Sequence, residues 1–411
     1  MAELALNGGT AVRNTPYPRW PEWDDRDVEA VANVVRSGNW GGFPEPGPNA
    51  ARFEEVFAAY QGARHGVLMA NGTVTMEVAL KAFGIGWGDE VVVPALTFAA
   101  TAYAPMAAGA VPVVVDVEPR TWTIDPEQVE AAITERTRAV MPVHLGHHMA
   151  DMDRIEEIAR RHGLAVVEDC AHAPGQQWRG RGAGCIGEFG SFSHQSSKIL
   201  TAGEGGTLLT NDDDLARRAH SIIDCGRAKD LDEKEFTFGA NYRLGELHAA
   251  LLVVAMERFP EQQRRRAEAG KELERLLADV PGVRVMPADE RITRWSFYNY
   301  IFAIDPEAFA GRTNGVVCAA LEAEGIPAEV QYPPMSRYEL FQPPLSRLPV
   351  AVEHADRLDP QRMSFPVAEA AGLRESVYLM ENVFRDGTRG VQDVAEALAR
   401  VQRHADELPR A

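Results

Sequence analysis

Between about residue 50 and residue 255 the chain alternates short apolar runs with stretches of helical period, and this rhythm constrains the fold more than any other feature. Strands are predicted near Val67, Val92, Val114, Val140, Val166, Phe192 and Leu208, and helices near Ala79, Val129, Ile155 and Ala216. The helix after Asp125 has an Asp cap with Pro126 in its first turn and Gln128 close behind, while the helix opening at Asp151 stops at Gly163. Strands that alternate with helices make an α/β unit, expected as a doubly wound, mostly parallel sheet. Beyond Glu257 the pattern changes to a charged helical stretch from Glu261 to Val280, a strand-like run from Arg294 to Phe302, a further helix, and the proline-rich Gln331-Tyr332-Pro333-Pro334. The expected division is a large domain over 1–255, with the N-terminal segment, and a smaller α+β domain over 256–411. A last helix, roughly Gly390 to His404, repeats Val391, Val394, Ala395, Leu398 and Val401 at helical spacing and reads as core.

The chemistry is carried by three short stretches. In Ser193-His194-Gln195-Ser196-Ser197-Lys198-Ile199-Leu200, a single lysine stands among neutral, small and apolar residues. Such surroundings disfavour the ammonium form, so a free amine becomes accessible as a nucleophile near neutral pH. Upstream, the apolar run Leu164-Ala165-Val166-Val167 ends in Glu168-Asp169-Cys170-Ala171-His172, which reads as a buried parallel strand delivering an acid at its C-terminal end. Ligand sites of open α/β sheets lie there. An acid at that place can bond the protonated nitrogen of a pyridine ring, so Asp169 with Lys198 points to pyridoxal phosphate. Glu168 faces the other way, as neighbouring strand residues do. The third stretch, Asn71-Gly72-Thr73, follows the apolar segment Gly66 to Ala70 and opens a helix with Met76, Ala79, Leu80 and Phe83 on one face. The free N–H groups of a helix start and the Thr73 hydroxyl suit an anion such as the cofactor phosphate; an ordinary N-cap is the alternative.

These stretches, with Pro94-Ala95-Leu96-Thr97-Phe98, Pro142-Val143-His144, Ala150-Asp151-Met152-Asp153 and Gly239-Ala240-Asn241-Tyr242-Arg243, resemble the DegT/DnrJ/EryC1/StrS family of pyridoxal phosphate-dependent sugar and cyclitol aminotransferases over nearly the whole chain. The resemblance implies fold type I with a mixed, mostly parallel seven-stranded sheet. It implies that Lys198 carries the covalent link to the cofactor, that Asp169 pairs with the pyridine nitrogen, and that Phe98 stacks on the ring. Phe98 reads equally as a core phenylalanine. Gly72, Thr73 and Ser193 would hold the phosphate, and Asn241 would reach the phosphate of a neighbouring subunit, so a homodimer with shared sites is expected. The family pattern places His172 on the 3-hydroxyl side of the cofactor, against the bland reading of a satisfied core histidine.

Substrate contacts are expected from Trp40, Arg243 and Tyr332. Trp40 lies in Ser37-Gly38-Asn39-Trp40-Gly41-Gly42, an acceptor loop or a simple turn. Arg243, taken to open a helix, meets a substrate carboxylate or a dimer contact. Glu204, in the glycine-rich turn after the lysine, either orders that loop or touches substrate. The family usually has histidine before Tyr-Pro-Pro where this chain has Gln331, which departs from the usual acceptor contact. By resemblance the amino donor is glutamine or glutamate. The opening Leu6 to Arg13, with Pro18-Arg19-Trp20-Pro21-Glu22-Trp23, is similar to members acting on keto-cyclitols and to aminohydroxybenzoate synthases. A keto-inositol acceptor is therefore favoured over a nucleotide-linked ketosugar.

Three rival readings compete with this one. Relatives that remove a hydroxyl from a deoxysugar have histidine where Lys198 stands. A non-catalytic sugar-binding protein on this fold leaves the lysine, aspartate and phosphate turn unexplained. His144, His147 and His148 with Asp151 have types and spacing suited to a divalent metal, but loop and capping roles account for them and no metal is expected. The formal charge of -18 disfavours nucleic acid and anionic membrane surfaces as partners. The four cysteines, Cys170, Cys185, Cys225 and Cys318, are scattered, which suits a reducing compartment. With no bilayer-length apolar run and no secretion-type leader, the expected location is cytoplasmic.

Overall fold

The computed structural model describes residues 4–42, 46–227 and 238–410. Nine strands belong to the first part of the chain: β1 (His65–Met69), β2 (Glu90–Pro94), β3 (Val111–Val115), β4 (Thr137–Val140), β5 (Ala165–Asp169), the short pair β6 (Gln177–Trp178) and β7 (Arg181–Gly182), β8 (Phe189–Ser193) and β9 (Gly206–Thr210). Seven of them form one sheet in the order β1-β9-β8-β5-β4-β2-β3. Pairings from β3 through β8 are parallel, and β9 runs antiparallel to both β8 and β1. A parallel neighbour needs a crossover of a dozen or more residues, usually through a helix. No helix separates Ser193 from Gly206, so the chain turns back on itself and β9 returns beside β8.

The sheet is covered on both sides, which explains its near-continuous apolar strands. Val67, Met69, Val91, Val93 and Val167 pack into one apolar cluster, whereas Leu68, Val92, Val140 and Val166 pack into another. This alternation puts Asp169 on one side of the sheet and Glu168 on the other.

Helices α1 (Asp25–Ser37), α2 (Pro48–Gln61), α3 (Gly72–Ala82), α4 (Ala100–Ala108), α5 (Pro126–Ala132), α6 (Met152–His162) and α7 (Asp213–Ile223) flank or link these strands. Their starts obey local chemistry. Asp24, Asn71, Asp125, Asp151 and Asp212 each accept a backbone N–H of the first turn, and Gly163 ends α6 in the left-handed region.

Helix α8 (Glu246–Leu277) is 32 residues long and passes through Pro260. The charged stretch expected from Glu261 is only the second half of this helix, which continues through a residue that normally ends one. Here the packing of its first half against α1 and α2 carries the helix through. The expected domain division at 255 therefore falls inside α8. A second sheet, β10 (Val283–Val285), β12 (Tyr300–Ile304), β14 (Ser376–Leu379) and β13 (Ala328–Val330), is antiparallel throughout, in the order β10-β12-β14-β13. It packs with α9 (Asn314–Ala323) and the helix Gly387–Arg403. Leu4 and Tyr17 lie in that same cluster, beside Leu398 and Val401.

The run 294–302 is not one strand. β11 (Ile292–Arg294) pairs with β6, and β12 begins only at Tyr300. Between them the chain leaves both sheets, and the Tyr298 N–H bonds the His172 carbonyl at 3.2 Å. No described helix is long and apolar enough to cross a membrane.

Candidate active site

Asp169 ends β5 on the side of the sheet covered by α3 and α4. Its Oδ2 accepts the Thr101 hydroxyl from α4 at 2.8 Å, and its Oδ1 accepts the Ala171 N–H at 3.1 Å. Thr97 bonds Thr101 in turn at 2.9 Å. Burial raises the carboxyl above its ordinary range; these two bonds and the charge of Lys198 act against that rise. On the opposite side, Glu168 accepts N–H groups from Gly184, Ile186 and Gly187 and faces His144 Nε2 at 3.0 Å. Because His144 Nδ1 accepts the Ala150 N–H, the ring proton is on Nε2 and points to Glu168.

The loop from β8 to β9 carries Lys198. His194 organises it: Nδ1 meets the Leu200 carbonyl at 3.0 Å, Nε2 meets the Thr207 hydroxyl at 2.8 Å, and the His194 carbonyl accepts the Thr201 hydroxyl. Glu204, expected as a possible organiser of the loop, is exposed, and these bonds run through His194 and Thr201 instead. Burial lowers the Lys198 amine from 10.5 to about 8, with the charge of Asp169 opposing the fall. The register pairs Asp169 with Ser191 on adjacent strands, so acid and lysine rise from the same end of the sheet. The amine sits over the Tyr298 ring, 4.1 Å from its centre.

His172 follows Asp169 into the same space. Its Nδ1 accepts the Gly146 N–H at 3.2 Å, leaving Nε2–H to face the Tyr332 hydroxyl at 3.1 Å. Burial holds this imidazole well below its ordinary range and hence neutral. Phe98 is 45% exposed, with Tyr332 and Tyr338 rings 6.0 and 6.3 Å away, so it is not a core ring.

The Asn71 side chain caps α3 through the Val74 N–H at 3.0 Å. The N–H groups of Gly72 and Thr73 have no intrahelical carbonyl to meet. Gly72 lies against Ser193: a Cβ added there would stand 2.7 Å from the Ser193 Cβ and 3.2 Å from its Oγ. Beneath this cradle, the Thr75 hydroxyl bonds the Gly72 carbonyl at 2.6 Å and meets Ser191 Oγ at 2.5 Å. Free N–H donors at a helix start, beside the Ser193 hydroxyl, suit a phosphate group.

The remaining expected residues are engaged elsewhere within this chain. Asn241 is exposed and bridges to Asp224, and Arg243 pairs with the Asp224 carboxylate. Arg243 does not open a helix, since α8 starts at Glu246; it forms a bridge with Met69 at the end of β1. Trp40 is 59% exposed, its indole N–H directed to the Val35 carbonyl. The histidine cluster is dispersed. His147 stacks on Tyr300 at 4.4 Å, Asp151 pairs with Arg291, and His144 serves Glu168. Among the described residues, His144, Glu168 and Cys170 form one group of ligating types, but the carboxylate and imidazole are already hydrogen-bonded and burial keeps the thiol protonated.

Two residues of the site escape a sequence reading. Thr101, four positions after Thr97, carries a weak signal in that helical spacing. Tyr298 carries none, since it was placed inside a strand.

Seven strands in this order, with a lysine in the loop that joins β8 to β9 and an acid at the end of β5, define an aminotransferase of fold type I. The chain belongs to the DegT/DnrJ/EryC1/StrS aminotransferase family, whose model matches residues 21–384. It is 43% identical, over 99% of each chain, to a protein of Streptoalloteichus tenebrarius provisionally named L-glutamine:3-amino-2,3-dideoxy-scyllo-inosose aminotransferase. It is 36% identical, over 100% of each chain, to the L-glutamine:scyllo-inosose aminotransferase of Streptomyces griseus. Among solved structures it is similar to 3-amino-5-hydroxybenzoic acid synthase, with a TM-score of 0.83, 33% identity, and coverage of 95% of this chain and 99% of the other.

Proposed function

We propose that this aminotransferase uses pyridoxal phosphate to move an amino group from glutamine or glutamate to the ketone of a keto-inositol. The observation that carries this reading is the half-buried Lys198 amine, lowered by desolvation to about 8, on the loop that follows the strand beside buried Asp169. The cradle of Gly72, Thr73 and Ser193 fits the cofactor phosphate, Asp169 its pyridine nitrogen, and Phe98 the face of its ring. When bound, pyridoxal phosphate supplies an electron sink and an aldehyde that takes up and hands on the amino group.

The chain's own residues do the rest. Lys198 would hold the cofactor covalently and, once released, its neutral form would move a proton at the substrate carbon bearing nitrogen. Thr101 and the Ala171 N–H keep Asp169 aimed, and that charge keeps the bound ring cationic. His172, neutral and held between Gly146 and Tyr332, presents a fixed edge to the ring's hydroxyl side. Tyr332, beside His172, would contact the acceptor. In a homodimer, exposed Asn241 would reach the cofactor phosphate of the neighbouring subunit.

A keto-inositol acceptor is supported by the names of the relatives that match the whole chain. Similarity to 3-amino-5-hydroxybenzoic acid synthase supports an enzyme of that kind as the alternative. Purified protein given the cofactor should develop an absorption band that borohydride fixes at Lys198, found by peptide mapping, and that glutamine bleaches. A colourless protein that takes up no pyridoxal phosphate would sink the proposal. Offering keto-inositols and nucleotide ketosugars to the aminated form decides the acceptor, and Lys198→Ala should abolish turnover while leaving the circular dichroism unchanged.

A further inference from the structure

We propose that the face of the Tyr298 ring is the seat on which the Lys198 amine rests whenever it is not covalently engaged, which makes Tyr298 a positioning residue for the reaction. This inference rests on the cofactor reading above. The amine lies 4.1 Å from the ring centre, within the range where a cation is attracted to an aromatic face. The ring is fixed from three directions. Its hydroxyl donates to Ser197 Oγ at 2.8 Å, its backbone N–H donates to the His172 carbonyl at 3.2 Å, and its plane packs against the His172 ring at 4.8 Å. Ser197 in turn donates to Gln195 Oε1 at 2.7 Å, so the tyrosine is tied into the lysine loop itself.

The need for such a seat follows from the surroundings of the amine. Asp169 supplies the opposing charge and His172 is neutral; both come from the end of β5 and the turn beyond it. Glu204, on the lysine's own loop, is exposed. When substrate nitrogen displaces the lysine, the freed amine stays protonated part of the time in a desolvated space, and Asp169 is then occupied by the ring nitrogen. An aromatic face holds an ammonium without quenching it as a base, because no hydrogen bond must be broken for the lone pair to return. The segment 295–299 leaves both sheets between β11 and β12, and it is this departure that brings the ring over the amine.

The test is the rate at which protein stripped of cofactor captures pyridoxal phosphate, measured against pH for the parent chain, Tyr298→Phe and Tyr298→Leu. Capture needs the neutral amine, so its midpoint reports the ionisation of Lys198. Tyr298→Phe keeps the ring and should keep the midpoint. Tyr298→Leu removes the stabilised ammonium and should lower the midpoint by ~0.5–1 pH unit. An unchanged midpoint in Tyr298→Leu overturns the proposal, and so does an equal shift in both variants, which would assign the effect to the hydroxyl. Absence of capture by the parent chain is a different failure, that of the cofactor reading itself.

Discussion

Lys198 carries its proton differently in the folded and unfolded chain. Folded, the amine is lowered by burial to about 8, whereas the unfolded amine keeps its ordinary value of 10.5. Between those values the unfolded state binds more protons, so this group makes folding more favourable as pH rises from about 8 towards 10.5. Urea denaturation of the cofactor-free protein should show that rise, and Lys198→Met should flatten it by the contribution of one proton; identical slopes would mean the amine is solvated. Lys198 stood out in the sequence as a single lysine among neutral, small and apolar residues, and Asp169 as the acid that ends an apolar strand, where position along the chain already decides position in the sheet. Their supports did not. Thr101 meets Asp169 across 68 residues, marked only by its spacing from Thr97, and Tyr298 meets Ser197 across 101 with no local signal at all.

At the level of elements, the turn from β1 into α3 and the loop from β8 into β9 are built against each other. Gly72 leaves no room for a side chain beside Ser193, and a Cβ at Gly206 would stand 2.4 Å from the Asn71 carbonyl carbon. Gly72→Ala favours the helix by propensity, by up to about 1 kcal/mol, yet it pushes the two walls of the cradle apart. The expected outcome is a protein of unchanged helicity that holds pyridoxal phosphate about tenfold more weakly, a loss of ~1.4 kcal/mol read by equilibrium dialysis. All seven strands of the large sheet were legible, since each carries apolar residues between turn residues or helical segments. The C-terminal unit was less so. Pro260 hid the first half of α8, and the aromatic run 294–302 looked like one strand because rings that cover a site and rings that fill a sheet have the same composition.

Across the whole molecule, the two ends of the chain are fastened together. Arg13 is buried, bonds Asp386 at 2.8 Å and Asp393 at 2.7 Å, and lies over the Tyr17 ring. Glu324 accepts the N–H groups of Ala5 and Val12 and pairs with Arg400. Arg13→Ala should cost ~2 kcal/mol in urea unfolding, because it strips both carboxylates of their partner. A cost near zero would show that the N-terminal segment adds nothing to the C-terminal core. Leu4 and Tyr17 complete a cluster whose other walls are Val391, Leu398 and Leu408. Translation at ~5–20 residues per second separates the two sets by roughly 20–80 s. Leu4 and Tyr17 must therefore wait, uncovered, until the helix that covers them has been made, and a chaperone that shields them during that interval would raise the yield of matured enzyme.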